Sequence, residues 1–257
     1  MTHIFDKNDG NQLAATIIQA MEELVEDFDY VDLASTLVSA AINLLTADAV
    51  GVMVGNPSGA LQVVAASDEE MRTLEVFEIQ ANEGPCLDSW ATGDIVMSPN
   101  LEDEDRWPMF CTEAMNRGFQ SAAAAPLRLR DMRFGSLNVL WKHPHLLTER
   151  QEQAMSALAD LAALGLTSRA VPTGATLLAE QIQFTIAART TIEQAKGMIA
   201  EQASTDMNSA YNLMRNFSRI TGEHLVDVAR KTLARKISAA QMQEMWSKAK
   251  VSPPPSG

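Results

Sequence analysis

The hydrophobic period of the chain changes near residue 175 and does not change back. Upstream, helical spacing alternates with short extended runs. "AVGVMVG" (49–55) and "LQVVAAS" (61–67) flank "NPSG", a strong turn signal, and read as a β-hairpin. From Ala175 onward there is no strand signal. A chain of 257 residues with this break is expected to fold as two bodies, an α+β one followed by an all-α one.

In the first body, "LAATIIQAMEELV" (13–25) and "DLASTLVSAAINLLT" (32–46) have amphipathic helical spacing, and a polar helix follows near Glu69 to Glu78. The next segment, "ANEGPCLDSWATGDIVMSPNLEDEDRWPMF", is punctuated by Gly and Pro and holds one short strand, "DIVMS". "SAAAAPLRL" and "MRFGSLNVLWK" supply two more strands, and "TERQEQAMSALADLAALGLTS" closes the body as a long helix. The reading is an antiparallel sheet flanked by helices at 11–170, after a disordered N-terminus at 1–10. A linker at 171–174 leads to an all-α domain at 175–237: a long, partly coiled-coil helix over 175–203, then helices over 206–220 and 223–237, forming a three-helix bundle. Residues 238–257 read as an extension ending in a disordered tail, "VSPPPSG".

The net charge of −13 argues against nucleic acid as a partner, but the average conceals an asymmetry. Residues 1–170 carry 10 Lys and Arg against 26 Asp and Glu, whereas residues 171–257 carry 10 against 7. The second body is mildly basic. Two cysteines, Cys86 and Cys111, are too few for a disulfide framework and lack zinc-type spacing. Without a signal-like N-terminus or an apolar run of membrane length, the expected location is the cytoplasm, with no membrane partner.

On a helical wheel, Leu177, Phe184, Ala188, Ile192, Ala195 and Ile199 form one stripe along the long helix. Leu178, Ile182 and Ile186 widen it in the first half; Arg189, Glu193 and Lys196 occupy that sector in the second. The wide face suggests pairing with the same helix of a second subunit, or packing on the first body. Arg189 and Lys196 are expected at the edge of the bundle, where Glu193 would pair with one or both. Gly197, inside a sequence of good helix formers, costs about 1 kcal/mol relative to Ala and invites close approach of another backbone. The next helix has Met207, Ala210, Met214 and Phe217 inward, flanked by Tyr211, Arg215 and Ser218, with Arg219 farther round.

"AARTTIEQAKGMIAEQ", then "AYNLMRNFS" and "HLVDVARKTL", resembles the ANTAR family of RNA-binding antitermination regulators over about sixty residues. "EGPCLDSWATGD", "RWPMF", "GFQSAAAAPLRL" and "FGSLNVLW" make the first body similar to GAF sensor domains. The resemblance implies binding to paired stem-loops in leader transcripts, prevention of a terminator hairpin, and a homodimer. The polar family positions it carries over are Arg189, Lys196, Gly197, Arg215 and Ser218; the wheel adds Arg219. Arginine and lysine neutralise phosphates, whereas loop bases are read by stacking or edge hydrogen bonds.

In the GAF-like body, Cys86, in a Gly-Pro loop, and Asp88 beside it are the candidate contacts for a small-molecule ligand, against the favoured reading of Cys86 as a packed loop cysteine; the sequence names no cofactor. "HPH" at 143–145 lacks a third ligand nearby, and Glu102 to Asp105 reads as a solvated loop. Neither a P-loop nor a nucleophile elbow is present, so no enzyme activity is expected. The competing expectation is a signal-sensing adaptor whose helical end docks a protein.

Overall fold

A computed structural model describes residues 30–55, 60–129, 132–167 and 175–251. The helix expected at 13–25, the "NPSG" turn, the linker and both termini lie outside the described residues. The chain divides into two compact units between Phe184 and Thr185. No described helix is long and apolar enough to cross a membrane.

The N-terminal unit contains strands β1 (Ala49–Gly55), β2 (Leu61–Ala66), β3 (Val96–Ser98), β4 (Ser121–Leu129) and β5 (Met132–Trp141). They form one antiparallel sheet in the order β2-β1-β5-β4-β3. β1 and β2 are the hairpin partners read from the sequence. β1 is buried at every position, and a strand covered on both faces reads as a continuous apolar run. Helices α1 (Tyr30–Leu45) and α5 (Glu149–Thr167) pack on each other and on the sheet.

Helices α2 (Glu69–Ala81), α3 (Pro85–Thr92) and α4 (Pro108–Asn116) serve the other face, where Met71, Leu74, Trp107 and Phe110 pack with Ala122 and Leu140. α3 and α4 lie in the segment read as punctuated loop. Pro85 and Pro108 stand in the first turn of each helix, where an amide has no intrahelical partner to lose, so the prolines open helices there. The Glu83 carboxylate completes the α4 start by accepting from the amides of Met109 and Phe110. Trp107 fills the core, and its indole N–H donates to Asp88 Oδ2 at 2.9 Å.

The C-terminal unit is helical throughout its described residues. α6 (Ala175–Ala203) crosses the division between units and is followed by α7 (Met207–Thr221), α8 (Leu225–Leu233) and α9 (Ala239–Val251). Asp206 caps α7 by accepting from Ser209 N at 2.9 Å, and Gly222 ends it at φ 70°. The predicted stripes supply the core, with Ala188, Ile192, Ala195 and Ile199 of α6 and Ala210, Met214 and Phe217 of α7 all buried, and Leu225, Val228 and Ala229 of α8 are buried too. α8 stops sooner than its sequence suggested, with Arg235 in the left-handed region at φ 55°. α9 is a further helix, in the stretch read as an extension. It packs on α7, buries Ala239 and Met242, and donates its Ala239 amide to Gln202 Oε1 at 3.1 Å.

Candidate functional site

The charged sector of α6 is interior. Arg189 is 8% exposed and Lys196 2%, which corrects their expected place on the bundle edge. Glu193 lies between them on the same helix face, with its Oε1 2.5 Å from Arg189 Nη2 and its Oε2 2.6 Å from Lys196 Nζ. The Arg189 guanidinium also stands 5.8 Å over the Tyr211 ring of α7. A wheel assigns charge outward, but at i, i+4 and i+7 the one Glu193 carboxylate reaches both cations and draws them in, the set keeping a net charge of +1. Removing one member of a buried set leaves an uncompensated charge, so the set is stable only as a whole.

Ser218 is also buried, and its hydroxyl donates to the Glu223 carbonyl at 2.6 Å, tying the end of α7 to the turn that follows. Gly197 differs from these. A Cβ built on it would meet no atom within 4 Å, so among the described residues no other part of the chain crosses there. Its flank is open to another molecule.

The cations that do face outward are Arg215, half-buried, and Arg219, Arg235 and Lys236, all exposed. None of these four makes an ion pair with another described residue. Their neighbours are neutralised: Arg230 pairs with Asp227 at 2.8 Å and Lys231 with Glu223 at 2.5 Å. Arg235 and Lys236, just past the end of α8, therefore belong with Arg215 and Arg219 as available charge.

In the N-terminal unit Cys86 is fully buried, 3.6 Å from the Met53 sulfur, and burial pushes its thiol well above the usual range. Asp88 is committed to the Trp107 indole. The notable polar groups are ones the sequence reading passed over. Glu75 and Glu78, on the inner face of α2 with Met71 and Leu74, are 1% and 2% exposed. Asn138 Nδ2 donates to Glu75 Oε1 at 2.8 Å, and the Cys86 amide at the start of α3 donates to Glu78 Oε1 at 2.8 Å. Burial raises the Glu78 carboxyl to about 7, against the lowering effect of the Cys86 and Leu87 donors. The signal was present in the order of residues: the 71, 74, 75, 78 stripe that should face the core reads Met, Leu, Glu, Glu.

Two further features have structural partners. His145 stacks on Trp141 with centroids 4.4 Å apart, and His143 Nδ1 is 4.0 Å from Asp48 Oδ2. In the acidic run, Glu104 pairs with Arg106.

The GAF domain family model matches residues 29–167, and the ANTAR domain model matches residues 180–232. Among solved structures, the GAF domain of a phosphoenolpyruvate-protein phosphotransferase from Coxiella burnetii is 15% identical with a TM-score of 0.50, the match covering 62% of this chain and 95% of that one. The free methionine-R-sulfoxide reductase from Neisseria meningitidis, solved with its substrate, is 13% identical with a TM-score of 0.48, covering 66% and 98%. At these identities the likeness concerns the fold alone. No curated protein matches the chain. GAF is a family of sensor domains and ANTAR one of RNA-binding antitermination regulators; the chain belongs to the GAF family and carries an ANTAR domain after its GAF domain.

Proposed function

We propose that this protein is a non-catalytic cytoplasmic regulator whose C-terminal unit binds paired stem-loops in leader transcripts and prevents a terminator hairpin from forming. The observation that carries this reading is the coincidence of the ANTAR match with four outward cations that have no ion-pair partner among the described residues: Arg215, Arg219, Arg235 and Lys236. Phosphate contacts require such side chains, and each contact releases counterions from the RNA. Arg189, Lys196 and Ser218 serve RNA indirectly in this reading, by fixing α6 against α7 and holding Tyr211 in place. Gly197 gives an incoming backbone room beside them.

The protein acts as a homodimer through α6, whose sequence has a wide apolar stripe over 177–186. A small ligand in the GAF domain sets the state of the pair. The acidic N-terminal unit supplies a second control, since its charge opposes nonspecific association with a polyanion.

Titration of the full chain against a two-hairpin RNA, a single hairpin and a duplex of equal length tests the reading. Tighter binding to the two-hairpin RNA at physiological salt is expected. Equal binding to all three, or none, overturns it and leaves the protein-docking adaptor, recovered by its partner.

A further inference from the structure

We propose that Asn208, Asn212 and Asn216, on the outer face of α7, read the edges of unpaired adenines in the RNA. This rests on the RNA reading above and adds to it the residues that choose the base.

The three are the only asparagines beyond residue 175, and they recur at every fourth position of one helix. Asparagine is a weak helix former because its amide competes with the backbone for hydrogen bonds, so three of them in a 15-residue helix work against it. The other short polar side chains of α7 are used locally. The Ser209 hydroxyl donates to Asp206 Oδ2 at 2.7 Å, that of Ser218 to the Glu223 carbonyl, and that of Thr221 to the Phe217 carbonyl at 2.9 Å. The asparagines differ: none of their side-chain amides hydrogen-bonds another described residue. Asn208 and Asn212 are exposed and Asn216 is half-buried.

Their neighbours identify the occupant. At about 3.6 residues per turn, Asn208, Asn212, Arg215 and Arg219 share one narrow sector, with Asn216 at its margin, opposite the buried Ala210, Met214 and Phe217. α7 contains no Asp or Glu, although the whole chain carries a net charge of −13. A face of arginines and amides without a carboxylate suits a polyanion that has polar edges. A protein partner is better met by aromatic and apolar side chains, and Ile220 is the one large apolar residue of α7 that is exposed.

Spacing and chemistry narrow the target. Successive asparagines stand about 6 Å apart along the axis, wider than the roughly 3.4 Å between stacked bases, so the ladder fits bases splayed out of a stack. Loop bases are in that state and expose their Hoogsteen edges. An amide presents an acceptor beside a donor. Adenine is the base whose Hoogsteen edge offers the complement, N6–H beside N7; guanine shows two acceptors there, cytosine a donor alone and uracil an acceptor alone. The arginines on the same face hold phosphates and set the register, and the amides choose the base.

Titration of the full chain tests this, against two-hairpin RNAs whose loops are wholly adenine, wholly uracil or wholly 7-deazaadenine. The last stacks as adenine does and lacks only the N7 acceptor, so it isolates the edge contact without any variant. Adenine loops are expected to bind about 5- to 150-fold more tightly than uracil loops, the range of one bidentate amide–adenine pair, and 7-deazaadenine loops to lose most of that gain. An Asn208→Ala, Asn212→Ala, Asn216→Ala variant is expected to bind all three RNAs alike. Its salt slope stays that of the wild type, since no phosphate contact is lost, and its Tm is not lowered, since Ala is the better helix former. If the wild type binds adenine and 7-deazaadenine loops equally, or the variant keeps the preference for adenine, the proposal is wrong and the RNA reading stands. If the wild type binds none of the three RNAs, the RNA reading fails and this proposal fails with it.

Discussion

The two units bury charge in opposite ways. The N-terminal unit encloses two carboxylates, Glu75 and Glu78, and holds them with amide donors. The C-terminal unit encloses two cations, Arg189 and Lys196, and holds them with one carboxylate, Glu193. Amides satisfy hydrogen bonds but bring no countercharge of their own. The triad includes a carboxylate that reaches both cations and offsets one of them, so the second arrangement is a structural clamp. Charge for an RNA partner must then come from elsewhere on that unit, from the outward arginines and lysine.

Breaking the clamp gives the largest expected effect. Glu193→Ala leaves two buried cations without their counterion and is expected to cost the C-terminal unit about 3 to 5 kcal/mol. Calorimetric unfolding checks it; a loss under about 1 kcal/mol, typical of exposed pairs, would mean that the triad is solvated and the contrast false.

The matching change in the other unit has the opposite sign. With its carboxyl raised from 4.5 to about 7, Glu78 in the folded chain keeps a proton that the unfolded chain has released. Its contribution to stability is full below pH 4.5, falls as pH rises through about 7, and is level above. Glu78→Gln removes that dependence and is expected to stabilise the unit at pH 8 by up to about 3 kcal/mol. Urea unfolding at pH 5 and pH 8 measures the difference, and a variant less stable than wild type at pH 8 would show that the carboxylate is welcome as an ion.

Gly197→Ala sharpens the comparison at a smaller scale. Its Cβ meets nothing within 4 Å, so the gain in helix propensity is expected to raise stability by about 1 kcal/mol. The same variant is expected to bind RNA more weakly. Raised stability with unchanged RNA affinity would take this flank out of the interface.

The strands and the long helices were legible in the sequence because their apolar periods are uninterrupted. β1 and β2 were found as a hairpin, and the core stripe from Ala188 to Ile199 was named residue by residue. What was not legible follows from how charge and proline were read. Pro85 and Pro108 passed as loop signals although each opens a helix. Glu75 and Glu78 made α2 read simply as a polar helix, when their positions on its stripe, not their type, decide their burial. Arg189 and Lys196 were placed outside although Glu193 was read as their partner, because pairing was taken as a feature of a solvated face and here it accompanies burial. α9 was missed because Ala239 and Met242 are only two small signals in a polar stretch.

The most direct test of the RNA account is the salt dependence of binding to the two-hairpin RNA, compared between the wild-type chain and an Arg219→Ala, Arg235→Ala, Lys236→Ala variant. Each lost phosphate contact lowers the slope of log K against log salt by about one unit. The account predicts that the triple variant loses about two to three units of slope while its Tm stays unchanged. An unchanged slope in a folded variant would contradict it.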